Sequence, residues 1–151
     1  MTGGALSARQ EKHHSKKWDK EERNMSEKGL FCGINKPKDG ANMTDFEKKH
    51  TPVIECPDEV KEGVPFQVRI SVGSIPHVME EGHFIQWLEV KFGENLYERV
   101  ELAPVFSRPE ITVTLAKGGK HEKGTLRVIE KCNLHGTWEA TKEIRIAGDG
   151  N

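Results

Sequence analysis

Phe66, Val68, Ile70 and Val72 alternate with Gln67, Arg69 and Ser71, the pattern of a strand buried on one face only. A chain that repeats this pattern in short runs must build a sheet that covers its apolar face. The repeats are there. Leu88, Val90 and Phe92 share one face of residues 84–92, and Ile111, Val113 and Leu115 alternate with threonines. Residues 53–56, 95–102, 125–132 and 137–146 supply four further runs, separated by Pro57-Asp58, Gly93-Glu94 and Lys117-Gly118-Gly119-Lys120. Short strands at this spacing predict an all-β, antiparallel β-sandwich of about seven strands. No helical periodicity of useful length competes.

The sandwich domain is expected over residues 30–151. Residues 1–29 are a polar extension with Leu6 and Trp18 as its large apolar groups, too little to bury for independent folding. His13 and His14 in this extension read as a solvated pair. With 23 basic and 24 acidic residues the net charge is −1, and no basic stripe marks a nucleic-acid binder. No apolar run approaches the roughly 18 residues of a membrane span. The N-terminus lacks the basic-then-apolar layout of an export signal. Three cysteines make no disulfide framework, so a reducing, cytoplasmic setting is expected, with Cys32 and Cys56 as ordinary free thiols.

His50, His77, His83, Cys132 and His135 fall at the ends of the expected strands or in the loops between them, where a regular scaffold presents its chemistry. Cys132-Asn133-Leu134-His135 places a thiolate and an imidazole on one tight turn, able to face a single ion. His77 and His83 bracket Val78-Met79-Glu80-Glu81-Gly82, and His50 precedes the first strand. His121, in a charged loop, has no such company. Five candidate ligands exceed the four of a closed tetrahedral zinc site, and a soft thiolate among imidazoles suits iron or copper. On spacing alone, a zinc ion that merely stabilises the fold is the alternative, through Cys132, His135 and two others. Blue copper fits less well, because no methionine follows Cys132 and two histidines are in excess.

Three segments carry a family pattern: Lys49-His50-Thr51-Pro52-Val53-Ile54-Glu55; Pro76-His77-Val78-Met79-Glu80 with His83; and Cys132-Asn133-Leu134-His135-Gly136-Thr137-Trp138. Together they resemble the superoxide reductases, the desulfoferrodoxin and neelaredoxin group, over roughly residues 45–146. The resemblance implies an immunoglobulin-like sandwich holding one iron per chain, with His50, His77, His83 and His135 in a plane and Cys132 beneath it. It implies one-electron reduction of superoxide to hydrogen peroxide, a rubredoxin-type electron donor and a homo-oligomer, most often a tetramer. Lys49 is expected to attract the anionic substrate. The family places a glutamate two positions before the first histidine, where its carboxylate can occupy the sixth position of ferric iron. Here that position is Lys48 and the glutamate is Glu47, one residue earlier. Either Glu47 still reaches, or the carboxylate ligand is absent and Lys48 competes with Lys49 for the lysine role. The four-cysteine module of two-iron members cannot be built from Cys32, so the one-iron type is expected. The contrasting reading is a non-catalytic, zinc-stabilised interaction module.

Overall fold

The computed structural model describes residues 29–117 and 123–148. The extension over residues 1–28, the turn residues 118–120 and His121 therefore lie outside the described residues. Nine strands and one helix are seen among those described: β1 (Ile34–Asn35), α1 (Asp45–His50), β2 (Pro52–Glu55), β3 (Glu59–Lys61), β4 (Phe66–Val72), β5 (Ile85–Phe92), β6 (Asn95–Glu101), β7 (Glu110–Leu115), β8 (Lys123–Cys132) and β9 (Gly136–Ala147).

All seven expected strands form, with ends within two residues of the sequence reading. They divide three and four, β2-β4-β7 in one sheet and β9-β8-β5-β6 in the other, and every pairing among them is antiparallel. This is the immunoglobulin-like arrangement. Between the sheets lies one core that includes Val68, Ile70, Leu88, Val90, Leu126, Val128 and Ile144, all fully buried. In β4 the alternation is realised as read, with Phe66, Val68, Ile70 and Val72 inside and Gln67 and Arg69 outside.

Two short strands, β1 and β3, were not anticipated, and both pair with β9 in parallel. Two or three residues cannot show a period, so pattern reading had nothing to detect. β1 nonetheless matters for the site. Asn35 Nδ2 donates to Leu30 O (2.7 Å) and to Thr137 O (2.9 Å), strapping the segment before α1 across the start of β9.

Helix α1 is the second addition, over residues for which no helix was expected. Its six residues are set by local signals at both ends. Thr44 is the N-cap, and Thr44 and Glu47 form a reciprocal capping box. At the other end Pro52 disfavours helical dihedrals for the residue before it, and Thr51 is extended at φ −75°, ψ 121°. His50 is therefore the last helical residue. A helix this short is marginal alone; it is held by Phe46, buried with Leu30 and Trp138 in a small second core.

Between β8 and β9 the chain turns through residues 133–135, and Cys132 pairs directly with Gly136. Gly136 sits at φ +80°, and a Cβ there would lie 2.2 Å from Leu30 O. Gly136→Ala is expected to destabilise the chain by at least about 1 kcal/mol from the left-handed backbone alone, with the backbone clash added. Thermal melting of metal-free protein measures it; an unchanged midpoint would show that the strap over β9 yields freely.

Candidate metal centre

At one end of the sandwich, four different pieces of chain deliver His50, His77, His83, Cys132 and His135 to one place. His50 closes α1. His77 and His83 come from the β4–β5 loop, where His77 N donates to Val72 O (3.0 Å) and a small bridge joins Glu80 to His83. Cys132 ends β8, and His135 lies in the turn that follows. Asn133 stitches this turn to the histidine loop: its Oδ1 accepts from Phe84 N (2.8 Å), and its Nδ2 donates to Gly82 O (3.0 Å). A register shift between Ile85 and Trp87 in the β5–β8 pairing falls at the same end; bulges are common beside functional sites, where they re-aim side chains.

The four rings form a closed cycle. Neighbouring centroids are 4.9 Å apart for His50–His77, 4.7 Å for His77–His83, 5.0 Å for His83–His135 and 4.9 Å for His135–His50. Successive rings are nearly perpendicular, at 75° to 84°. One donor atom from each of His50, His77, His83 and Cys132 lies within 4.8 Å of all the others. His135 Nδ1 completes the set, 3.1 Å from His50 Nε2 and 3.6 Å from Cys132 Sγ. Two nitrogens at right angles round an ion, each about 2.1 Å from it, are about 3.0 Å apart. The His50–His135 separation fits such a pair.

Hydrogen bonding settles which nitrogens face inward. His50 Nδ1 lies 2.7 Å from Phe46 O, and His77 Nδ1 lies 2.7 Å from Val78 O. A carbonyl only accepts, so both Nδ1 atoms carry the proton and both Nε2 atoms present bare lone pairs. The His77 Nε2 atom is buried with no hydrogen-bond partner, a cost that a coordinated cation would remove. The carbonyl partners also orient the rings, as partners behind metal-bound histidines do.

Burial keeps these groups neutral. It lowers the His50 pKa from 6.5 to about 3, outweighing the Phe46 carbonyl, and the other imidazoles add to the effect. His77 falls to about 4, again chiefly by burial, with His83 and the charge of Lys49 also lowering it. Cys132, fully buried, is raised to about 11 by burial, opposed by the backbone N–H groups of Leu134 and His135. Glu130, two residues before Cys132 on the same face of β8, is fully buried, and its carboxyl oxygens have no protein partner. Burial raises its pKa well above the usual carboxylate range, which favours the neutral acid.

All five ligand candidates read from sequence are thus together. Lys49 is exposed, with its charge felt at His77, whereas Lys48 is half-buried. Glu47 is not brought to the ring cycle. Its carboxylate accepts from Thr44 N (3.1 Å), Thr44 Oγ1 (3.3 Å) and Lys38 N (2.9 Å), within the helix cap. Of the two cases left open by the sequence, this arrangement corresponds to the one without a Glu47 ligand. The supporting residues Phe46, Asn133, Glu130 and Trp138 were not singled out from sequence. Trp138 donates to His135 O (3.0 Å), and Phe46 packs on His50 with ring centroids 4.5 Å apart. The Thr44-x-x-Glu47 box was the readable signal that would have placed Phe46 on a helix.

A family model described as Desulfoferrodoxin matches residues 42–141, about two thirds of the chain, and spans every one of these ligands. The chain belongs to the desulfoferrodoxin family. A protein of Methanocaldococcus jannaschii is 50% identical over 117 residues, which cover 77% of this chain and 97% of that one. The neelaredoxin of Megalodesulfovibrio gigas is 30% identical over 66% of this chain and 88% of its own length. Among solved structures, the superoxide reductase (neelaredoxin) of Ignicoccus hospitalis superposes with a TM-score of 0.65 at 39% identity, covering 76% of this chain and 95% of that one. Family membership, a β-sandwich and a His/Cys metal cluster thus agree. Among the described residues no helix is long and apolar enough to cross a membrane.

The buried histidines make a pH prediction for metal-free protein. Unfolded histidine titrates near pH 6.5. His50 and His77 titrate lower in the folded chain, so between about pH 6.5 and 4 the unfolded state binds more protons, and stability rises with pH across that window. Their contribution is fully present above about pH 6.5 and is lost as pH falls, by about 2 kcal/mol per histidine at pH 5. Melting midpoints in the presence of chelator should fall between pH 7 and 5; a flat profile would contradict the buried, neutral assignment.

Proposed function

We propose that this chain is a superoxide reductase that binds one iron through His50, His77, His83, His135 and Cys132 and reduces superoxide to hydrogen peroxide. The observation that carries the proposal is the closed cycle of four imidazoles with a thiol beside it. Five donors of this kind would leave a six-coordinate ion one open position for a small anion, which a closed tetrahedral zinc site does not offer. Bound here, iron supplies a one-electron reductant open to that anion.

The residues supply the rest. The Cys132 thiolate would be the anionic ligand, raising electron density on an iron held here. The Leu134 and His135 N–H groups hydrogen-bond its sulfur and moderate that effect. Lys49, exposed beside His77, attracts the superoxide anion and stabilises the charge that develops on it. One electron and two protons, the protons from solvent, convert superoxide to hydrogen peroxide with no dioxygen released. The electron lost from the site is restored by an external protein donor of rubredoxin type. A homotetramer in the cytoplasm is the setting proposed from the family resemblance.

Purified protein should contain one iron per chain, colourless when reduced and blue when oxidised. A zinc ion without colour in either state, persisting after expression with added iron, would favour the structural module. Cys132→Ser should abolish the thiolate charge-transfer colour and most activity while the sandwich stays folded; retained colour would refute the thiolate assignment. Lys49→Ala should slow the reaction with superoxide by up to about tenfold and flatten its ionic-strength dependence. An unchanged rate and salt profile would remove that role from Lys49.

A further inference from the structure

We infer that Glu47 is a positioning residue for the metal centre, acting through the cap of α1, and is not itself a ligand. The inference rests on the iron reading above. Glu47 is only 2% exposed, and both carboxylate oxygens are engaged. Oε1 accepts from Thr44 N (3.1 Å) and Thr44 Oγ1 (3.3 Å), and Oε2 accepts from Lys38 N (2.9 Å). The Glu47 N–H donates in return to Thr44 Oγ1 (3.2 Å), and its carbonyl accepts from Thr51 N (2.8 Å). One residue therefore ties the loop at Lys38 to the first turn of the helix and the first turn to its end.

What it holds is the base of the His50 ring. The Nδ1 of His50 is anchored to Phe46 O inside the same helix, and Phe46 packs on His50, His135 and Trp138 with centroids 4.5, 5.0 and 5.7 Å away. With only six residues, α1 has no length over which a disturbance of its first turn could fade before reaching His50. To reach the ion, the carboxylate would have to abandon three donors and leave two backbone N–H groups without it in a part-buried place. The position two before His50 carries Lys48 and not a carboxylate. An iron held here would therefore keep a position that Glu47 does not fill, open to exogenous anions under the influence of lysine charge.

The test compares full-length wild type, Glu47→Ala, Glu47→Gln, Thr44→Ala and the Glu47→Ala/Thr44→Ala double variant. Three quantities are read: the wavelength of the charge-transfer band in oxidised, iron-loaded protein, iron retention against a chelator, and melting of the metal-free chain. A positioning role predicts one band wavelength for every variant. Iron retention should fall about tenfold in Glu47→Ala and in Thr44→Ala, with lower metal-free melting midpoints. The double variant should lose little more than either single one, because both act in one cap. Glu47→Gln, which keeps one acceptor oxygen, should lie between Glu47→Ala and wild type. A band that moves in Glu47→Ala, or a Glu47→Ala variant with unaltered melting and retention, overturns the inference. Wild-type protein without iron or colour would overturn the proposed function instead, and the metal-free melting series would still decide whether Glu47 holds the cap.

Discussion

His50 and His77 can be buried among the other imidazole donors only while they stay uncharged, because like charges in a poorly solvated place repel and cannot be hydrated. Much of the architecture around the ring cycle enforces that condition. Carbonyls of Phe46 and Val78 take the outward N–H groups of His50 and His77, fixing the neutral tautomer with the lone pair inward. Phe46 and Trp138 pack apolar surface on His50, which deepens the desolvation that keeps that ring neutral, and Phe46 also packs on His135. The outcome is a set of donors already arranged for a cation, with an unpartnered Nε2 on His77 as the visible cost of that arrangement in the metal-free chain.

A sandwich suits this task because its rigid part and its adaptable part are separate. The core between the sheets is aliphatic and fully buried, and it fixes where strands β5, β8 and β9 end. The ligands are carried just beyond those ends on a two-strand turn, one loop and one short helix. Cross-links between these pieces then remove their freedom. Asn133 joins the turn to the histidine loop, Asn35 straps β1 across β9, and Trp138 reaches back to His135 O. Each link runs to a backbone group of a neighbouring segment: Phe84 N, Gly82 O, Thr137 O and His135 O.

The strands and the ligands were legible in the sequence for different reasons. Alternation in residues 66–72 or 84–92 has only one reading, and Cys132-x-x-His135 puts two soft donors on one turn whatever the fold. Legibility failed where the deciding contact is distant in sequence or too short to have a period. β1 and β3 exist because β9 is long enough to pair with them, a fact no local window contains. Glu130 occupies an inward position of β8 where the pattern expects an apolar side chain, and only burial shows that its neutral form is favoured. Helix α1 is the instructive case. Its capping box and the Thr51-Pro52 stop were both present in the chain, but six residues carry no amphipathic stripe to mark a helix there.

Proton accounting joins the thiol to the rings. With its pKa raised to about 11, Cys132 is a protonated thiol in the metal-free chain at neutral pH, while His50 and His77 are already unprotonated. A cation entering the cycle therefore displaces one proton, from sulfur, and none from these two nitrogens. The resulting thiolate is the one full negative charge among the five donors, placed beside Glu130, whose neutral form burial favours. The backbone N–H groups of Leu134 and His135 are the local groups that favour the thiolate before any ion arrives. The turn thus has two duties, to bring Sγ and His135 Nδ1 to one point and to make the sulfur's ionisation less costly. Both follow from folding residues 133–135 tightly enough that their amides point back at Cys132, which is why a glycine with positive φ must follow them.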